Sequence, residues 1–429
     1  MSLKVSFDYV SKENLVDFAK YSSKVKEIDE MIRKGTGKGS DFLGWLTWPK
    51  DYDKEEVEMI NKKASEFRNK FDTLVVVGIG GSYLGARTAI EALNGIYSKD
   101  KMEIVYLGNT LDPNYVSQTI AYLKNKNFCV CVISKSGTTT ETSISFRILL
   151  TMLEEKLGKK EATKAIVAVT DKKEGALRKL ATKDDITCFN LPNNIGGRYS
   201  VITAVGLFPI ACAGIDISAL LEGTKEAMEE YSSNDINTNP AYQYALERYF
   251  LYQKGYKVEM VASYEVRLKM LNEWLKQLFD ESEGKDEKGL LVDSVNFTTD
   301  LHSLGQFIQQ GSQILFETTL YVDSTENDVV VPFDKEDLDG LNYLADKKLS
   351  YINHKAYMGT LKAHAITANI PNIRINISSL DAKELGHLFY FFMITCAMSG
   401  YLIGVNPFNQ PGVEIYKKNM FHLLGKKGY

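Results

Sequence analysis

Short apolar runs recur through the first half of the chain, each ending in glycine or hydroxyl-bearing residues. Residues 73–78 (TLVVVG), 103–107 (EIVYL), 128–133 (FCVCVI) and 165–170 (AIVAVT) are too short for helices and too continuously apolar for half-exposed strands. They predict strands buried on both faces. Residues 186–191 (ITCFNL) form a fifth, more polar candidate. Helical periodicity separates the runs, as at 145–157 and 174–181. A strand–helix alternation of this kind predicts a parallel, doubly wound sheet.

The second half repeats the theme less regularly. Residues 258–262 (VEMVA), 290–293 (LLVD), 317–322 (ETTLYV) and 329–331 (VVV) are strand candidates. In 264–279, Leu268, Leu271, Trp274, Leu275 and Leu278 share one face of a predicted helix. A late helix-rich stretch covers 385–402. The fold class predicted is α/β, two doubly wound parallel-sheet units with helical flanks, meeting near residues 192–200.

At 429 residues the chain exceeds one ordinary core, which agrees with two units. Charged residues make up 25% and the formal net charge is −4, so no general affinity for nucleic acid or an anionic membrane is expected. Cys129 and Cys131 alternate along one predicted strand, where a bridge is badly placed, and the five cysteines predict buried free thiols in a reducing cytosol. The opening MSLKVSFDYVSKENL has no long apolar core, so no signal peptide is expected. No apolar run reaches about 18 residues, so no membrane span is expected either.

The ends of the predicted strands carry the candidate chemistry. After 128–133 comes Ser134-Lys135-Ser136-Gly137-Thr138-Thr139-Thr140-Glu141-Thr142, six hydroxyls in nine positions. Thr138 and Glu141 fit a capping box, which predicts a helix start. A cap uses one hydroxyl, and Ser134, Ser136 and Thr139 remain. Neutral hydroxyls beside a helix N-terminus suit a phosphate monoester; a plain capped turn stays open as the other reading. After 73–78 comes Gly78-Ile79-Gly80-Gly81-Ser82-Tyr83-Leu84-Gly85. It fails as a dinucleotide fingerprint, because Tyr83 stands where the third glycine belongs and no acidic residue closes the next strand. It fails as a Walker A loop as well. A glycine turn with Ser82 at its tip survives.

Four further stretches stand out. Gly196-Gly197-Arg198-Tyr199-Ser200 presents one arginine after two glycines, either a surface cation or a charge aimed at developing negative charge. Asp280-Glu281-Ser282-Glu283-Gly284-Lys285 is either a solvated turn or the seat of a carboxylate base. Thr299-Asp300-Leu301-His302-Ser303 holds a lone histidine. Residues 408–417 (FNQPGVEIYK) lead into a terminal helix. The five histidines form no ligand spacing, so no metal site is expected.

Taken together, DFLGW (41–45), GIGGSYLG, SKSGTTTET, GGRYS, ESEGK and NQPGVEIYK resemble, in that order and over nearly the whole chain, the phosphoglucose isomerase family. The resemblance implies a pair of SIS-type sugar-phosphate-binding subdomains. It divides the chain into an N-terminal segment (1–50) packing on the second subdomain, a first subdomain (51–195), a second (196–405) and a helical tail (406–429) returning to the site. Gly81, Ser82, Ser134, Lys135, Ser136, Thr138, Thr139 and Gln410 match substrate-binding positions. Glu281 matches the base, Arg198 the arginine beside the reacting carbons, and His302 and Lys417 the ring-opening residues. The chain departs at Gly137, where some relatives carry an aromatic residue, at Glu283, where asparagine is common, and at Pro411, where some carry tryptophan. It is also short for the family.

The activity implied by that resemblance is an aldose–ketose isomerisation of glucose 6-phosphate and fructose 6-phosphate, without metal or redox cofactor. The resemblance also implies a cytoplasmic homodimer with His302 contributed across the interface. A single carboxylate can serve C1 and C2 through a planar enediol, and a fixed cation beside the growing oxyanion is worth a few kcal/mol. Two other readings remain open: a non-catalytic sugar-phosphate-binding regulator of the same fold, and a nicotinamide-dependent dehydrogenase.

Overall fold

The computed structural model describes residues 3–97 and 101–428. Two five-stranded sheets organise it. The first holds β2 (Thr73–Val77), β3 (Glu103–Leu107), β4 (Phe128–Ile133), β5 (Ile166–Asp171) and β6 (Thr187–Leu191), all parallel, in the order β3-β2-β4-β5-β6. Every residue of β2, β4 and β5 is buried, as continuous apolar runs require of a sheet covered on both faces.

The second sheet has the order β1-β10-β9-β7-β8, from β1 (Leu3–Tyr9), β7 (Val258–Ser263), β8 (Leu291–Asn296), β9 (Leu315–Val322) and β10 (Asn372–Ile377). It departs from the sequence reading in two places. It is mixed, because β1 runs antiparallel to β10 along its edge, and the apolar pattern marks neither of those strands. In β10 the buried Ile373, Ile375 and Ile377 alternate with Asn372, Arg374 and Asn376, so no apolar run announces it. Residues 329–331 are no strand. Val329 and Val330 are exposed, and only an isolated bridge from Val330 to Lys348 forms there.

Helix Ala382–Ile403 is the centre of the helical layer and packs against helices Ile217–Glu230, Pro240–Gln253 and Lys269–Glu283. It is long and, on average, apolar enough to cross a membrane, although no unbroken apolar run within it reaches about 18 residues. His387, Thr395 and Ser399 break its apolar run in sequence, yet they are buried with the rest of residues 385–403 inside the protein. All five cysteines are free, and only Cys188 is partly exposed.

Candidate active site

In the first sheet the chain leaves β2 towards β3 and leaves β4 towards β5, in opposite directions. A crevice opens between such strands at their carboxyl ends. The short 3-10 turn Gly80–Ser82 follows β2, and residues 134–139 follow β4, so both hydroxyl-bearing loops meet there. Helix Thr140–Leu157 starts one residue later than the capping box places it. Thr139 is its N-cap and makes no side-chain capping bond. Thr138 turns its hydroxyl to Ser136 instead, at 2.9 Å, and Ser136 Oγ also accepts from the Thr138 N–H. The position three residues past Thr139 is the buried Thr142 rather than Glu141, so no box closes.

A cavity of about 580 Å³ covers this crevice. One wall is Gly81, Ser82, Ser136, Thr138 and Thr139; the other is Arg198, Gln277 and Glu281; Gln410 and Lys417 come from the tail. Ser134 lies behind this surface. Its buried Oγ accepts from Gly137 N–H at 3.0 Å, and it faces a separate, apolar pocket with Phe146 and Leu177. Lys135 turns away too, with Nζ 3.3 Å from the Asn193 carbonyl. His302 is exposed in the turn Thr299–His302 beyond β8 and does not line the cavity of its own chain.

Arg198 is not a surface cation. Its side chain is 2% exposed and all five of its N–H groups are engaged. Nε donates to Ser282 Oγ (2.7 Å), Nη1 to Glu281 Oε2 (3.3 Å) and Gln410 Oε1 (3.2 Å), and Nη2 to the carbonyls of Pro407 (2.7 Å) and Asn409 (3.4 Å). One guanidinium thus joins helix Lys269–Glu283 to the start of the tail. Lys285 makes a second link, donating to the Ser282 and Asn406 carbonyls at 2.6 and 2.7 Å. Burial and the neighbouring Arg198 charge push its ammonium down to about 8. Phe408 then wedges the tail into a buried aromatic group with Tyr199 and Trp45, the latter two stacked at 5.0 Å. That packing is what the DFLGW stretch contributes. Helix Val413–Leu423 itself buries no residue, and Lys417 Nζ sits 2.8 Å from Glu414 Oε1, whose carboxyl the lysine holds below its ordinary range.

Gln277 escaped the sequence reading. Its Nε2 donates to Glu281 Oε1 at 3.2 Å, so both oxygens of Glu281 are held, one by Gln277 and one by Arg198. The signal was present, since a residue four positions before Glu281 shares its helix face. Glu281 itself is 31% exposed and opens onto the cavity. Among the described residues, no group of three or more His, Cys, Asp or Glu side chains is placed to hold a metal ion.

Comparison with known proteins fits this geometry. Residues 54–427 match the family described as phosphoglucose isomerase. A glucose-6-phosphate isomerase of Staphylococcus saprophyticus is 54% identical over 94% of this chain and 92% of its own length. One of Mycoplasma mycoides is 49% identical over 99% of both. Among solved structures, a hypothetical protein of Thermus thermophilus aligns with a TM-score of 0.89 at 27% identity, covering 98% of this chain and 99% of that one. A glucose-6-phosphate isomerase of Chlamydia trachomatis shares the fold, with a TM-score of 0.81 at 20% identity over 99% of this chain and 88% of its own. On the match over residues 54–427 and the identity to full-length relatives, the chain belongs to the phosphoglucose isomerase family.

Proposed function

We propose that the protein interconverts glucose 6-phosphate and fructose 6-phosphate, moving one proton between C1 and C2 through a cis-enediol. The observation that carries this is the pairing of two unlike walls in one cavity: hydroxyls over a free helix N-terminus, and a carboxylate held against a buried guanidinium. Ser82, Ser136, Thr138 and Thr139, with the first N–H groups of helix Thr140–Leu157, bind the phosphate. That end does not react; it holds the sugar in register for the step at the other wall. Glu281 takes the proton from one carbon and returns it to the other. Arg198 places a fixed positive charge beside the oxygen that becomes anionic. Gln277 and Gln410 orient the carboxylate and the sugar hydroxyls, and Lys417 assists ring opening.

The same proposal has the protein working as a cytoplasmic homodimer, with His302 of one subunit completing the partner's site. The exposure of His302 and its absence from the lining of its own chain's cavity support that reading. So do the exposed apolar side chains Val329, Phe333, Leu338, Tyr343 and Tyr351 in a segment beyond β9. The division of the chain at 50/51, 195/196 and 405/406 belongs to the proposal as well. An assay of the purified chain with fructose 6-phosphate, the product quantified after the reaction is stopped, tests the activity. Conversion of fructose 6-phosphate to glucose 6-phosphate, without added nucleotide or metal, is expected. Binding of the sugar phosphate without turnover would make the protein a sensor instead.

A further inference from the structure

Helix Lys269–Glu283 ends in Asp280-Glu281-Ser282-Glu283, three carboxylates in four residues. They stand at the helix end whose dipole repels negative charge. Each is separately restrained. Asp280 Oδ1 accepts from the Val292 N–H of β8 at 2.8 Å. Glu281 and Ser282 accept from Arg198. Glu283 points to the far side of the helix, where it is fully buried and gripped by a second guanidinium, that of Arg248.

The grip is bidentate: Nη1 to Oε1 at 2.6 Å and Nη2 to Oε2 at 3.2 Å. Arg248 is also fully buried, and further N–H groups and a face of its guanidinium are engaged on other sides. Nε donates to Glu259 Oε2 on β7 at 2.6 Å and Nη1 to Ser399 Oγ on the central helix at 2.8 Å. Its guanidinium lies 4.0 Å above the Phe279 ring. Glu259 in turn accepts from Tyr244 Oη and Thr318 Oγ1. Four elements therefore meet on one cation: helix Pro240–Gln253, β7, the central helix and the carboxylate helix.

Stability does not account for such a cluster. Buried ion pairs replaced by apolar groups of like volume commonly leave a protein as stable or more so. Geometry accounts for it better. Residues 281 and 283 are two steps of about 100° apart on the helix, so their side chains leave it on nearly opposite sides. Whatever fixes Glu283 behind the helix fixes the rotation of its last turn, and hence the aim of Glu281 in front.

We propose that Arg248 is a positioning residue for the isomerisation: by clamping Glu283 it sets the rotation of the turn that presents Glu281 to the cavity and Ser282 to Arg198. This rests on Glu281 being the base, and the experiment separates the two claims. Arg248→Lys replaces the fork by a point charge that cannot hold both carboxylate oxygens. Glu283→Gln keeps the shape, loses one acceptor and leaves Arg248 paired with Glu259. Glu281→Gln is assayed beside them, all in the full-length chain. For the first two variants kcat should fall about tenfold or more, while KM for fructose 6-phosphate and inhibition by inorganic phosphate stay within about twofold, because the phosphate wall is untouched. The measurements are made well below each variant's melting temperature, so lost stability alone cannot lower kcat. Wild-type kcat in both variants, with only a lower Tm, would show the cluster to be structural and overturn the proposal. If Arg248→Lys does not fold, the isosteric Glu283→Gln decides the matter. An active Glu281→Gln would instead remove the base reading on which the proposal rests.

Discussion

A Cβ placed on Gly81 would lie 2.0 Å from the carbonyl oxygen of Gly197. The turn after β2 and the turn that carries Arg198 are thus packed backbone against backbone, and the glycine at 81 is what lets them meet. The contact sets the spacing between Ser82 on one wall of the cavity and Arg198 on the other. Gly81→Ala should push the turns apart. The overpacking cost is about 1–3 kcal/mol, and kcat/KM should fall at least tenfold as the walls lose register. Steady-state kinetics beside a thermal melt checks both, and a variant with unchanged kcat/KM would mean that the walls move independently.

The hydroxyls after β4 divide into two sets. Ser136 and Thr139 face the cavity, whereas Ser134 is buried and accepts the Gly137 N–H. Ser136→Ala with Thr139→Ala should weaken binding of inorganic phosphate, each lost bond to a charged ligand costing about 1.5–3 kcal/mol. Ser134→Ala leaves the partly buried Gly137 N–H without that acceptor. It should lower stability by roughly 0.5–1.5 kcal/mol and change phosphate affinity little. Titration calorimetry and melting curves on the two variants read the two effects apart. Comparable affinity losses in both would place Ser134 in the phosphate site after all.

That division marks where the sequence stopped being legible. Runs such as FCVCVI announce buried strands because both faces of the sheet are covered, and the residues just past them fall at its carboxyl edge. Which hydroxyls face outward depends on how the backbone turns after β4. Gly137, at φ +71° and with room for no Cβ against the Leu177 backbone, makes that turn. The same limit hid β1 and β10, whose pairing joins opposite ends of the chain. Arg198 was recognisable as a cation after two glycines. Its burial under five acceptors was not, since the acceptors come from residues some 80 to 210 positions further along.

Assembly offers a sharper test. If His302 acts in the partner's site, His302→Ala and Glu281→Gln impair different chains of one active site. Refolding the two variants together gives mixed dimers with one site carrying both changes and one carrying neither. Random pairing makes half the dimers mixed, so roughly a quarter of wild-type activity should return by that symmetry count. Separately refolded controls stay at their own low levels. The substrate must be fructose 6-phosphate in its ring form, because an open-chain sugar bypasses the histidine. Mixed dimers seen by mass but no more active than the summed controls would exclude action in trans.

Glu247 gives a pH signature unrelated to catalysis. It is fully buried beneath the N-terminal segment; Oε2 accepts from the Val16 N–H at 3.0 Å, and Oε1 has no partner among the described residues. Burial pushes its carboxyl up to about 7 from 4.5. The sign follows from proton counting. Between those two values the folded chain keeps the proton and the unfolded chain releases it, so stability falls as pH rises through this window. Below about 4.5 both states are protonated and the penalty vanishes; above about 7 it is complete, on the order of 3 kcal/mol. Glu247→Gln cannot ionise, so it escapes this term at every pH. Its amide carries a constant cost of its own, because the N–H groups facing the unpartnered side find no acceptor. That offset does not titrate. The stability of the variant relative to wild type should therefore climb by about 2 kcal/mol between pH 5 and pH 8. The difference between their urea midpoints or melting temperatures, followed across that range, measures it, and other titrating groups such as Asp280 cancel in the comparison. A difference that stays flat with pH would show that Glu247 is ionised in the folded protein throughout.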